Sequence, residues 1–165
     1  MNQLVPDVTF KYRHGGSWVD VPYDRLFHGK RVVVFSLPGA FTPTCSSKQL
    51  PGYEELYPQF IKHVDDVFCL SVNDAFVMDA WFQNQEIKNV KYIPDGSGEF
   101  TYAMGMSVSK ANLGFGFRSW RYAMVVNDGV IEQLFEEPGK MGNCPADPYE
   151  VSTPENVLKW LEENQ

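Results

Sequence analysis

The sequence has little cysteine and no recognisable arrangement of what it has. Three cysteines among 165 residues, Cys45, Cys69 and Cys144, are too few and too odd in number for a disulfide scaffold. None forms a Cys-x-x-Cys string or stands with a histidine at metal-ligand spacing. The three histidines, His14, His28 and His63, are scattered, so no metal site is expected. Positive charge is also scarce. A formal charge of −7 makes a phosphate backbone or an anionic membrane surface a poor partner, and neither nucleic acid nor membrane is expected. The sequence shows no bilayer-length apolar run, and no basic stretch leading into an apolar one at Met1–Asp7. The expectation is a soluble, cytoplasmic protein with reduced thiols. Repeats, charge blocks and low-complexity tracts are missing too. Because 44% of the residues are hydrophobic, enough for a core, residues 1–165 are expected to form one continuous domain.

The run Arg31-Val32-Val33-Val34-Phe35-Ser36 is β-branched and apolar on both faces, which predicts a central strand covered by helices on each side. Pro38, Gly39 and Pro43 then interrupt regular pairing. From Cys45 onward, Leu50, Tyr53, Leu56, Tyr57, Phe60 and Ile61 recur at helical spacing, placing Cys45 at or just inside a helix start. A second buried strand, Val67 to Val72, follows and should run parallel to the first. Asn73 or Asp74 caps another helix, with Phe76, Val77, Ala80 and Trp81 on one side, and Val90 to Pro94 reads as a short strand. Arg121–Val126 and Val130–Phe135 flank Asn127-Asp128-Gly129, a hairpin signal. A final helix is predicted behind Ser152-Thr153-Pro154-Glu155, with Val157, Leu158 and Leu161 as its apolar stripe. Together these elements predict an α/β fold of the thioredoxin-like kind, a central mixed sheet flanked by helices.

The chemistry is concentrated in Pro38-Gly39-Ala40-Phe41-Thr42-Pro43-Thr44-Cys45. A thiol at a helix start meets unpaired N–H groups and the positive end of the helix dipole, which favour the thiolate, the nucleophilic form of cysteine. Attack of sulfur on a hydroperoxide expels the second oxygen as hydroxide or alkoxide, so donors must hold both oxygens in line. Thr42 could supply one donor. Pro38 would shield the sulfur from bulk water, and an arginine from elsewhere would hold the thiolate and polarise the peroxide. Such a site requires the sulfur to be reachable from solvent and to face both the guanidinium and the hydroxyl.

The spacing Pro-x-x-x-Thr-x-x-Cys resembles the peroxiredoxin active-site motif, and the longer string resembles the peroxiredoxin-5 (type II) branch. The likeness extends through Phe68–Asp74, Arg118–Val126 and Glu137-Pro138-Gly139, and so covers nearly the whole chain. It implies a thiol peroxidase for hydrogen peroxide and organic hydroperoxides, without a metal or prosthetic group. Cys45 would be the peroxidatic cysteine, Thr42 and Pro38 would complete its pocket, and Arg121 would be the arginine at the start of the late strand. Cys45 would cycle through a sulfenic acid that a second thiol reduces. In some members of the branch a resolving cysteine follows the Glu-Pro segment, as Cys144 does here. The Arg-Ser-Trp-Arg-Tyr string and the tail after Asn143 look more like bacterial members that use glutathione and glutaredoxin. A one-cysteine cycle with glutathione and a separate glutaredoxin is therefore favoured over a Cys45–Cys144 disulfide reduced by thioredoxin. The resemblance also implies a homodimer packed near the active-site loops.

Cys69, between Phe68 and Leu70, reads as an inert core thiol, and Arg118 as a second cation beside an anionic group. Phe41 and Phe115, with Phe117 and Trp120, are either core residues or an apolar collar that admits organic hydroperoxides. Two other functions compete. A redox sensor or chaperone-like binding protein needs a reactive thiol but not the full peroxide clamp. A thiol–disulfide oxidoreductase is disfavoured because Thr42 stands where the partner cysteine of a Cys-x-x-Cys would lie.

Overall fold

Alternation along one strand explains how the chain comes to have two cores. In a computed structural model, which describes residues 3–165, β4 (Arg31–Leu37) sends Val33, Phe35 and Leu37 to one side and Val32 and Val34 to the other. β5 (Asp66–Ser71) divides likewise, with Val67 and Cys69 on the first side and Phe68 and Leu70 on the second. In β9 (Tyr122–Asn127), Ala123 and Val125 join the first core, while Tyr122, Met124 and Val126 join the other. With β1 (Gln3–Leu4), β6 (Lys91–Pro94) and β10 (Val130–Glu136), these strands make one six-stranded sheet ordered β1-β10-β9-β4-β5-β6. β4, β5 and β6 are parallel to one another, and β9, β10 and β1 pair antiparallel. The architecture is the thioredoxin-like α/β fold with a mixed central sheet, as the sequence predicts.

The predicted hairpin closes at Asp128 and Gly129, whose φ angles of 50° and 80° suit a two-residue turn with both central residues left-handed. Asp74 is the N-cap of α4 (Ala75–Asn84), its carboxylate accepting from Val77 N–H at 2.9 Å. Thr153 caps α6 (Pro154–Glu163) through Asn156 N–H, and α6 buries Val157 and Leu161.

Two helical faces differ from expectation. α4 buries Ala75, Met78, Trp81 and Phe82, whereas Phe76 is 55% exposed and packs edge-on against Trp18. The long helix predicted after Cys45 is instead a π turn over Cys45–Gln49, then α2 (Leu50–Glu55) and α3 (Tyr57–Phe60). Pro51 and Pro58 each lack the N–H that would continue a preceding helix, so each starts a new one, and Ile61 ends up exposed. Patterning also gave no sign of the hairpin β2 (Thr9–His14) with β3 (Ser17–Pro22), of α1 (Tyr23–Phe27), of α5 (Glu99–Ala103), or of β7 (Ser107–Ser109) paired with β8 (Phe117–Ser119).

Candidate active site

The loop leaving β4 is held by hydrogen bonds from three directions. Ala40 N–H donates to Asn73 Oδ1 at 3.0 Å, and the same oxygen accepts from Ser71 Oγ at 2.6 Å, so the end of β5 fixes the loop. Arg118 Nη1 donates to Pro38 C=O at 3.0 Å and lies where a side chain on Gly39 would have to go. Within the loop, Thr42 Oγ1 donates to Gly39 C=O at 2.7 Å. Phe41 is 53% exposed, with φ at 65°, a left-handed conformation that a bulky residue seldom adopts.

Cys45 opens the π turn, in which Leu50 N–H reaches Cys45 C=O. Wider turns of this type recur at functional sites. The turn is braced from α4, where Trp81 Nε1 donates to Ser46 Oγ at 2.9 Å. Arg121, between β8 and β9, is only 2% exposed and points its Nη1 at Cys45 Sγ, 3.6 Å away. The same Nη1 donates to Gln49 Oε1, and Nη2 donates to Asp147 Oδ1 at 2.6 Å. The Tyr149 ring lies 5.5 Å from the guanidinium carbon. Two buried donors at this point, Gln49 Nε2 and Arg121 Nε, have no hydrogen-bond partner among the described residues.

The electrostatics follow from burial and from the sulfur. Burial works to lower the Arg121 pKa, but the nearby charges of Cys45 and Asp147 more than offset it and hold the group above its ordinary value. Arg118 falls below its ordinary value because its burial outweighs the charge of Cys45. Burial also pushes the Cys69 thiol well up, with the Cys45 charge adding to the effect, in keeping with an inert core thiol.

The structure thus unites Cys45 and Arg121 by contact, with Pro38 one step behind through Arg118. Two features differ from the sequence reading. The Thr42 hydroxyl is engaged with Gly39 and not with the sulfur, and Cys45 has no exposed surface, whereas a sulfur reachable from solvent was expected. Phe115 lies 5.1 Å below the Arg118 guanidinium, and Phe41 sits outside on the loop. Cys144 packs against the core on the other face of the sheet from Cys45. No group of three or more His, Cys, Asp or Glu suited to a metal ion occurs among the described residues.

Sequence reasoning passed over Gln49, Asp147, Tyr149 and Asn73. Gln49 stands four residues after Cys45, so helical spacing alone could have placed it beside the sulfur. The others meet the site through the fold.

A family model described as Redoxin matches residues 2–158. A peroxiredoxin of Rhizobium etli is 58% identical, over 98% of this chain and 96% of its own length. The hybrid peroxiredoxin hyPrx5 of Haemophilus influenzae is 56% identical over 95% of this chain, which spans 64% of that protein. Among solved structures, the Plasmodium falciparum antioxidant protein, described as a 1-Cys peroxiredoxin, matches with a TM-score of 0.94 at 40% identity, covering 99% of this chain and 98% of that one.

Proposed function

As the chain belongs to the peroxiredoxins of the redoxin family, in the type II (peroxiredoxin-5) branch, and is a thiol-dependent peroxidase, we propose that Cys45 attacks the peroxide and an outside thiol restores it. The Cys45 thiolate attacks one peroxide oxygen, an S–O bond forms as the O–O bond breaks, and the departing hydroxide or alkoxide takes a proton to leave as water or alcohol. Arg121 steadies the sulfur before attack and the oxygens during it, and the partnerless N–H groups of Gln49 and Arg121 are donors already desolvated for that use. Thr42 joins them once its hydroxyl turns away from Gly39. The Cys45 sulfenic acid is then attacked by the sulfur of glutathione, releasing water and leaving a mixed disulfide. A second glutathione, or a glutaredoxin, takes the glutathionyl group and frees Cys45. The electrons come from thiols throughout, without a metal or prosthetic group.

The observation that carries an outside thiol is the position of Cys144, which packs on the opposite face of the sheet from Cys45. Joining them would require the two sulfurs to come within bonding distance, with Cα atoms no more than about 7 Å apart. Steady-state consumption of hydrogen peroxide and of an organic hydroperoxide is expected with glutathione plus glutaredoxin. It should persist in Cys144→Ser and vanish in Cys45→Ser. Turnover with thioredoxin only, abolished by Cys144→Ser, would establish the two-cysteine cycle instead.

The proposal includes a cytoplasmic homodimer. Exposed Phe41, Phe76, Trp18, Leu113 and Phe117 are apolar surfaces that a second copy would cover. Light scattering at micromolar concentration should return twice the 18.8 kDa chain mass, and the monomer mass would remove the dimer from the proposal.

A further inference from the structure

The chain from Glu137 to Ser152 forms no regular element, yet its start is bonded to the arginine facing the sulfur and its far end is held back to that start. At its start, Glu137 N–H donates to Arg121 C=O at 3.2 Å, and Trp120 Nε1 donates to Glu137 C=O at 2.7 Å. The Glu137 side chain, with no exposed surface, then grips the far end of the same segment. Its Oε1 accepts from Glu150 N–H at 2.8 Å. Its Oε2 accepts from Val151 N–H at 3.0 Å, from Ser152 N–H at 2.8 Å and from Ser152 Oγ at 2.6 Å. A buried carboxylate costs several kcal/mol to desolvate unless donors fill its lone pairs. Here they are filled by the segment itself, which fixes its path. Tyr53 OH adds an anchor from α2, donating to Ser152 C=O at 2.6 Å.

That path brings Asp147 and Tyr149 onto the Arg121 guanidinium. The contact has a clear use. Arg121 is buried and carries a full charge, and its Nη1 is shared between the sulfur and the neutral amide of Gln49. Once Cys45 becomes a neutral sulfenic acid, the sulfur no longer balances that charge, and Asp147 is the carboxylate that remains in contact with it. An ion pair on Nη2 also fixes the roll of a side chain that could otherwise rotate about several bonds, at a cost in lost orientation.

We propose that Asp147 is a positioning residue: carried on a strap that Glu137 anchors, it holds Arg121 Nη2 so that the guanidinium stays aimed at the Cys45 sulfur and the incoming hydroperoxide. The inference rests on the peroxidase role of Cys45. Asp147 is half exposed, so its replacement leaves no cavity and the fold should survive.

The test compares Asp147→Ala and Asp147→Asn with the parent chain in two reactions of Cys45, oxidation by hydrogen peroxide and alkylation by iodoacetamide at pH 7. Alkylation needs the thiolate but no grip on an O–O bond. In Asp147→Ala the peroxide rate constant should fall about tenfold, while alkylation changes by less than about threefold. Asp147→Asn, which keeps an acceptor oxygen in place, should recover the peroxide rate to within about threefold of the parent. Equal losses in both reactions, an undiminished peroxide rate in Asp147→Ala, or failure of Asp147→Asn to recover would each overturn the positioning role. A parent chain whose Cys45 does not react with peroxide would instead refute the peroxidase role itself.

Discussion

At the scale of single residues, the chemistry depends on one guanidinium serving several acceptors at once. Arg121 meets Cys45 and Gln49 through Nη1 and Asp147 through Nη2, a fork that a lysine ammonium on its flexible stem does not reproduce. Arg121→Lys is therefore expected to lower the rate of Cys45 oxidation by about 10²-fold, on the scale of losing one preorganised donor. Stopped-flow fluorescence measures it, and a loss of less than about threefold would mean that a point charge suffices. Cys45 and Arg121 were named from the likeness of their strings to the peroxiredoxin pattern, and they stand in contact, whereas Thr42, named from the same string as Cys45, turns its hydroxyl to Gly39. Asp147 and Tyr149 were not, because only the grip of Glu137 on residues 150–152 turns the strap toward the site. The burial of Cys45 was illegible for a similar reason, since it is a sum over surroundings that the fold assembles.

At the scale of elements, the sequence was most legible where one rule acted alone. β4, β5 and the hairpin formed where apolar runs and Asp128-Gly129 put them, and where the sequence offered Asn73 or Asp74 and a hydroxyl of Ser152 or Thr153 as caps, Asp74 and Thr153 accept from the first turn of their helices. Periodicity misled where proline competed with it: the apolar spacing from Leu50 to Ile61 is continuous, but Pro51 and Pro58 divide the helix. The pairs β2–β3 and β7–β8 escaped notice because the first is largely exposed and the second is three residues long on each strand, which leaves little apolar alternation to read. The Asp74 cap also bears on the site, since it adjoins Asn73, the residue that holds Ala40 in the active-site loop. Asp74→Ala should cost about 1 kcal/mol through the lost cap, read as a lower urea midpoint with an unchanged slope. An unchanged midpoint would show that solvent replaces the cap at no cost.

At the scale of the whole molecule, groups buried in their neutral form set the response to alkali. Cys69, Tyr53, Tyr12, Tyr122 and Tyr149 are all pushed above their ordinary values, in each case chiefly by burial. A raised folded value means that the native chain keeps protons the unfolded chain has given up. Their contribution is therefore complete below the unfolded values, about 8.5 for cysteine and about 10 for tyrosine, and is lost as pH climbs beyond them. Thermal melts should be flat in this respect up to about pH 8 and fall increasingly steeply above about pH 10. A midpoint that held steady to pH 11 would show that these side chains ionise without unfolding. The sheet itself limits how copies of the molecule can meet. Its two outermost strands are poor templates: β1 has two residues, and β6 ends in Pro94 and carries Lys91, which pairs with Asp66. A proline and a lysine on a margin discourage another chain from zipping its backbone alongside. Any pairing of two copies therefore has side chains, rather than extension of the sheet, to rely on, which leaves each sheet finite.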